Sequence, residues 1–176
     1  MDVVSYLLGK NASGGGGGGG EYNLKIDTSN MTSSILYSGI SQRLVKLSPD
    51  LDTSQITDFR SMFLGCSSLT EIPETFDTSN AKYISNMFES CTSLTTIPVL
   101  DFSSVTTAEK TYKDCPNFTD ETLDNILLSL ASAKITISYY KKLSEQGFSS
   151  SDYSSSRIQA LPHYQDFVDA GWSIGY

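Results

Sequence analysis

The sequence is poor in basic residues and in the residue types that most often carry out chemistry. Its 12 Lys and Arg stand against 20 Asp and Glu, a formal charge of −8, with no basic patch or Arg-rich arm. That balance argues against nucleic acid as a partner. There is one histidine, His163, beside a proline and with no acid-base partner evident near it. A lone histidine of this kind reads as structural. No apolar run approaches the ~18 residues of a membrane span, so membrane insertion is not expected. The N-terminus lacks the basic start of a secretory signal, because Asp2 stands there and the apolar run 3–8 is broken by Ser5. The chain therefore reads as made in the cytoplasm and leaving it, if at all, by a route other than secretion.

Cysteine is also scarce, at three residues, and an odd number cannot pair completely. The phosphate loop, nucleotide fingerprint, zinc-ligand spacing and nucleophile elbow are all missing from the sequence. The chain reads as non-enzymatic and free of cofactors and metals.

What is present is a repeat. Asp52-Thr53-Ser54 recurs as Asp77-Thr78-Ser79 and as Asp101-Phe102-Ser103, a period of 25 and then 24 residues. The apolar positions follow in step: Ile56, Ala81 and Val105, then Phe59, Ile84 and Ala108, then Phe63, Phe88 and Tyr112. Cys66, Cys91 and Cys115 share one position, followed by Leu69, Leu94 and Phe118. A period of this length predicts stacked units that bury their apolar faces against one another. The cysteines would then be stacked roughly 4.8 Å apart but pointing the same way, which suits buried free thiols better than a disulfide. The aspartates would also align, yet a file of Asp without a Gly-x-Asp turn lacks the six to eight oxygens of a calcium site. Asp and Ser bonding nearby backbone N–H groups explains them as turn chemistry.

Within a copy, Ile56, Phe59, Phe63 and Cys66 are spaced by three and four, with Asp58 as an N-cap and Gly65 as a stop, which predicts a short helix. Residues 69–72, closed by Pro73, predict a short strand. The expected fold is thus an α/β solenoid of the leucine-rich-repeat type, with short parallel strands on one wall, short helices on the other and a helical C-terminal cap.

The domain division follows the composition. Residues 1–10 form an apolar segment whose Val3, Val4, Tyr6, Leu7 and Leu8 are the candidates for docking on a larger particle. Residues 11–20 end in seven consecutive glycines and read as a flexible tether. Residues 21–118 carry the repeat, with 21–51 a degenerate capping copy in which Ser41 replaces the cysteine. Residues 119–176 form the cap. There Leu123, Ile126, Leu127 and Leu130 make the buried face of an amphipathic helix opened by Thr119 or Asp120. Residues 134–140 alternate as a strand that would add a rung, with Ile135, Ile137 and Tyr139 on one face, and 144–156 read as a Ser-rich surface loop. Residues 157–161 and 163–170 read as two short helices divided by Pro162, and the aromatic tail from Trp172 should fold back.

Two stretches carry a resemblance. Met62-Phe63-Leu64-Gly65-Cys66-Ser67-Ser68-Leu69-Thr70 and Met87-Phe88-Glu89-Ser90-Cys91-Thr92-Ser93-Leu94-Thr95 resemble the BspA-like class of leucine-rich repeats over about residues 27–118. The third copy departs, with Thr111-Tyr112 in place of Met-Phe. The resemblance implies the solenoid and binding at cell surfaces. The two chain ends, residues 1–20 and 164–176, resemble those of small bacteriophage structural proteins. That resemblance implies a virion location and contact with other virion proteins through the N-terminal segment. It also implies attachment to a bacterial surface protein or glycan, and self-association on the particle. The exposed candidates for attachment are Thr70, Glu71, Thr95 and Thr96, small polar residues in file on the strand face. The alternatives are a bacterial cell-surface adhesin and an intracellular interaction scaffold.

Overall fold

The computed structural model describes residues 23–24, 44–47, 49, 51–136 and 141–175. The docking segment, the glycine tether, most of the degenerate first copy and residues 137–140 lie outside the described residues.

Each copy opens on its aspartate. The Oδ1 of Asp52, Asp77 and Asp101 accepts the backbone N–H two residues on, from Ser54 (3.0 Å), Ser79 (2.8 Å) and Ser103 (2.8 Å). The chain next enters the segment where a helix is expected, and none forms. Met62, Leu64 and Cys66 donate to the carbonyls three residues back, of Phe59, Ser61 and Phe63. The N–H groups of Phe59, Ser61, Phe63 and Gly65 leave the copy altogether and reach Tyr83, Ser85, Met87 and Glu89 at 2.7–2.9 Å. An α-helix would need those donors for its own i−4 carbonyls. Ser61 (φ 60) and Gly65 (φ 72) are left-handed, as are Asn86 and Ser90 in the second copy and Lys110 and Asp114 in the third. A left-handed residue every fourth position is incompatible with a right-handed helix. Asp58 is accordingly no N-cap, and its carboxylate binds the Arg60 backbone N–H instead (3.0 Å).

The opposite wall departs from expectation too. Strand structure among the described residues is one parallel pair, β1 (Asn23–Leu24) with β2 (Lys46–Leu47), and beyond it the copies meet at isolated parallel bridges. These run Lys46↔Glu71↔Thr96 in one file and Asp58↔Tyr83↔Thr107 in another. The predicted leucine-rich-repeat α/β solenoid, strands on one wall and helices on the other, is therefore overturned. The copies are turns and irregular backbone, joined copy to copy by hydrogen bonds.

Aromatic side chains of the same repeat position meet across those bonds. Phe63 stacks on Phe88 (centroids 5.6 Å, 9° between planes) and Phe88 on Tyr112 (5.8 Å, 12°). The rings lie parallel where the copies repeat the same pair of left-handed backbone positions. Each such pair contributes about 0.5–1.5 kcal/mol beyond its buried area. Ile56, Phe59, Leu69, Ile84, Leu94, Val105 and Ala108 are fully buried beside them.

The cap begins at α1 (Asp120–Ser132), whose N-cap Thr119 accepts the Thr122 N–H at 3.1 Å. Leu123, Ile126, Leu127 and Leu130 are its buried apolar face, as the periodicity predicts. A second stripe on the same helix closes the backbone of residues 97–102, where the second copy ends and the third begins. Thr122, Ser129 and Ser132 accept the N–H groups of Ile97 (3.3 Å), Leu100 (2.8 Å) and Phe102 (3.2 Å), while Asn125 donates to the Ile97 carbonyl (3.0 Å). Side chains stand where a continuing repeat would place its main chain.

On the turn wall the closing element is a 3₁₀ helix, Ser144–Gln146, inside the stretch expected to be a surface loop. Its carbonyls accept Lys110 N–H (Glu145, 2.7 Å) and Tyr112 N–H (Gln146, 2.9 Å). The buried Gln146 side chain accepts the Thr111 hydroxyl (2.8 Å) and donates to Ala108 (3.1 Å). Gly147 follows at φ 90, where a Cβ would stand 2.4 Å from Lys113 Cα. Residues 134–136 are not a strand, although Ile135 is buried and Lys134 N–H reaches Val105 (3.0 Å). The remainder of that predicted rung lies outside the described residues. Two short helices follow, α2 (Ser155–Gln159) and α3 (Tyr164–Asp169). The tail folds back with Trp172 and Ile174 buried, and Ser173 forms a parallel bridge to Lys142.

Two substitutions test this closure in opposite directions. Gln146→Leu orphans a buried hydroxyl and a buried carbonyl and should destabilise by about 2 kcal/mol in urea unfolding. Tyr112→Phe should stabilise by about 1 kcal/mol, because the buried Tyr112 hydroxyl has no partner among the described residues.

Candidate functional site

The four attachment candidates lie together on the first file. Thr70 donates its N–H (3.1 Å) and hydroxyl (3.3 Å) to Val45, and Thr95 repeats the pattern onto Thr70 (3.0 and 3.1 Å). These hydroxyls are half-buried and bonded to the copy before. Glu71 and Thr96 occupy the bridge positions and are exposed. Glu71 pairs with Lys46 at 3.0 Å, an exposed contact worth at most about 1 kcal/mol. Thr92 and Asn117 extend the polar surface, each reaching the copy before through its side chain (3.5 and 2.8 Å). The result is a smooth polar strip whose backbone groups are engaged copy to copy. The docking candidates Val3, Val4, Tyr6, Leu7 and Leu8 lie outside the described residues.

The second file is less uniform. Tyr83 is 38 % exposed, flanked by Asp58 on one rung and Thr107 on the next. Asp58 holds the Arg60 guanidinium through Oδ1 to Nε (2.9 Å) and Oδ2 to Nη2 (2.6 Å), which sets Arg60 Cζ 5.1 Å from the Tyr83 ring centroid. That hydrogen-bonded guanidinium keeps the Asp58 carboxyl below the ordinary range, against some loss of solvation. Sequence reasoning passed over this group. The signal was the variation Asp58, Tyr83, Thr107 at one repeat position, a mixture of charged, aromatic and small polar residues that marks an outward position.

The cysteines form the interior file expected of them, free and buried. Cys91 donates to Phe63 (3.1 Å) and Cys115 to Phe88 (3.0 Å), so these two thiols also tie their copies to the one before. Burial pushes Cys66 and Cys115 from an ordinary 9.0 up to about 12, and Cys91 higher still, with its neighbouring cysteines adding to the effect. Such thiols are poor nucleophiles. Among the described residues no three His, Cys, Asp or Glu side chains group to hold a metal ion, and no helix is long and apolar enough to cross a membrane.

His163, expected to lack an acidic partner, has one. Asp124 Oδ1 accepts its backbone N–H (2.8 Å) and Oδ2 lies 2.6 Å from Nδ1, so the pair pins the start of α3 to α1. The two residues are 39 apart in sequence, and nothing local links them. Arg157 makes a parallel attachment for α2, to Asp120 (2.7 Å) and the Phe118 carbonyl (3.1 Å).

The family described as Mycoplasma protein of unknown function, DUF285, matches residues 26–143. No curated protein and no solved structure matches the chain.

The thiols set an alkaline limit on stability. In the unfolded chain they ionise near 9.0, whereas folded Cys66 and Cys115 hold their protons to about 12. The unfolded state then binds fewer protons, so stability should hold below pH 9 and fall as pH rises toward 12. Urea midpoints across that range should decline less steeply for the triple Cys→Ala variant. A thiol-specific chromogenic reagent at pH 8 should reach the three cysteines only after denaturation.

Proposed function

We propose a non-enzymatic attachment role for this chain, which belongs to the family described as Mycoplasma protein of unknown function, DUF285, a family associated with BspA-like repeat proteins. The observation that carries the reading is the polar strip built on the first file. Its backbone groups bond from copy to copy, and Glu71 and Thr96 face outward one rung apart. A surface of this kind presents hydroxyl and carboxylate groups without reorganising, which suits weak contacts that gain strength by repetition.

The specific role proposed is that of a bacteriophage virion structural protein, a fibre, spike or decoration subunit. Residues 1–10, with Val3, Val4, Tyr6, Leu7 and Leu8, dock on other virion proteins, and the glycine tether lets the repeat region face outward. The repeat then meets a bacterial surface protein or glycan, and many copies on one particle multiply a weak contact. The resemblance of both chain ends to small phage structural proteins supports the particle. The family's Mycoplasma description favours a second reading, an adhesin on the bacterial cell itself.

Mass spectrometry of purified particles separates the two: the virion role requires the chain there in many copies. The adhesin role requires labelling of the chain on intact, uninfected cells. Deleting residues 1–20 should leave a folded repeat region and abolish incorporation into particles. Incorporation at the normal level would remove the docking role from this segment.

A further inference from the structure

Tyr83, Val99 and Val168 are the exposed large hydrophobics among the described residues, and Tyr83 alone of these presents a ring. We infer that the second file, centred on Tyr83, is a contact site for an uncharged polysaccharide strand running along the stack of copies. The inference rests on the attachment reading and names the ligand class and the place where it binds.

A pyranose ring has a face of C–H groups and a rim of hydroxyls. Its recognition calls for an aromatic ring to lie against the face and for oriented polar groups to meet the rim. Tyr83 supplies the ring. Beside it Asp58 and Arg60 form a fork held by three side-chain bonds and anchored through the Arg60 backbone N–H. A guanidinium fixed in this way loses little rotamer freedom on binding. On the next rung Thr106 and Thr107 are exposed, their N–H groups bonded to the Lys82 carbonyl at 3.0 and 3.3 Å.

Charge selects an uncharged polymer. Arg60 and Asp58 cancel, Lys82 adds one exposed cation beside Tyr83, and the Lys134 charge acts on Asp101. In a chain of net charge −8 this is no groove for a polyanion. The repeat sets the direction. Rungs lie about 4.8 Å apart, close to the length of one sugar unit in an extended polymer, so a strand along the axis advances one rung per residue. The first file has the same spacing, but Glu71, Thr92, Thr96 and Asn117 offer no ring.

The test is affinity electrophoresis of the full chain through native gels containing dextran, mannan, galactomannan, xyloglucan or dextran sulfate. At least one neutral polymer should retard the protein, Tyr83→Ala should weaken retardation about tenfold, and Tyr83→Phe should restore it. Val168→Ala, at an exposed position of α3 away from both files, should leave it unchanged. Tyr83 is exposed, and thermal melts of each variant verify folding. No retardation in any neutral gel, retardation in dextran sulfate alone, or loss with Thr96→Ala instead of Tyr83→Ala would overturn the inference. Binding of the chain to intact bacteria, scored separately for wild type and Tyr83→Ala, keeps the attachment reading apart. Cell binding that survives Tyr83→Ala overturns the site and leaves attachment standing. Absence of wild-type cell binding, with neutral-polymer retardation intact, removes attachment and leaves the site.

Discussion

Everything in the repeat depends on how the backbone N–H groups of residues 59–66 are divided. Alternate donors turn back three residues within the copy, and the others cross to the next copy. The crossing donors join the copies into one body, while the local ones fold each copy into a tight corner. Left-handed residues at 61, 65, 86, 90, 110 and 114 make the alternation sterically possible. Only one of the six is glycine, so the others carry a backbone cost that the cross-copy bonds and the stacked aromatics must offset.

A stack held in this way has a problem at its end, because the last copy's donors and acceptors have no next copy to meet. The chain meets it with side chains as well as backbone. One face of α1 brings Thr122, Asn125, Ser129 and Ser132 to the main chain of residues 97–102, and Gln146 with its 3₁₀ turn receives the donors on the turn wall. The Asp124–His163 and Asp120–Arg157 contacts then hold the two short helices against α1. The cap is thus the element that lets a periodic structure stop, which is why its polar residues sit at buried positions.

The two surface files follow from the same arrangement. Side chains at bridge positions recur once per rung, so any exposed residue type is repeated or varied along a line. On the first file the line is small and polar. On the second, the change from Asp58 to Tyr83 to Thr107 places one ring beside a fixed ion pair. Variation at an outward position of a periodic structure leaves the core untouched, so such positions can take on binding chemistry without loss of stability.

Much of this was legible in the sequence where the cause is local or periodic. The Asp-Ser turns, the buried cysteine file and the apolar face of α1 each follow from residues a few positions apart or one period apart. The helix expected at 58–64 was misread because spacing by three and four is shared by a helix and by a run of three-residue turns. Only the donors that cross to the next copy decide between them. Strands shrank to bridges for the same reason, since pairing length is set by how neighbouring copies pack. Gln146, the hydroxyl stripe on α1 and the Asp124–His163 pair were hidden for another cause: each joins residues about 25 to 39 positions apart, with at least one partner beyond residue 118, where the repeat pattern no longer marks positions. By itself the sequence determined that copies recur, which side chains they bury and where the recurrence stops. Tertiary structure decided what each copy is made of and which side chains close the end, because both depend on donors and acceptors that meet only once the copies are stacked.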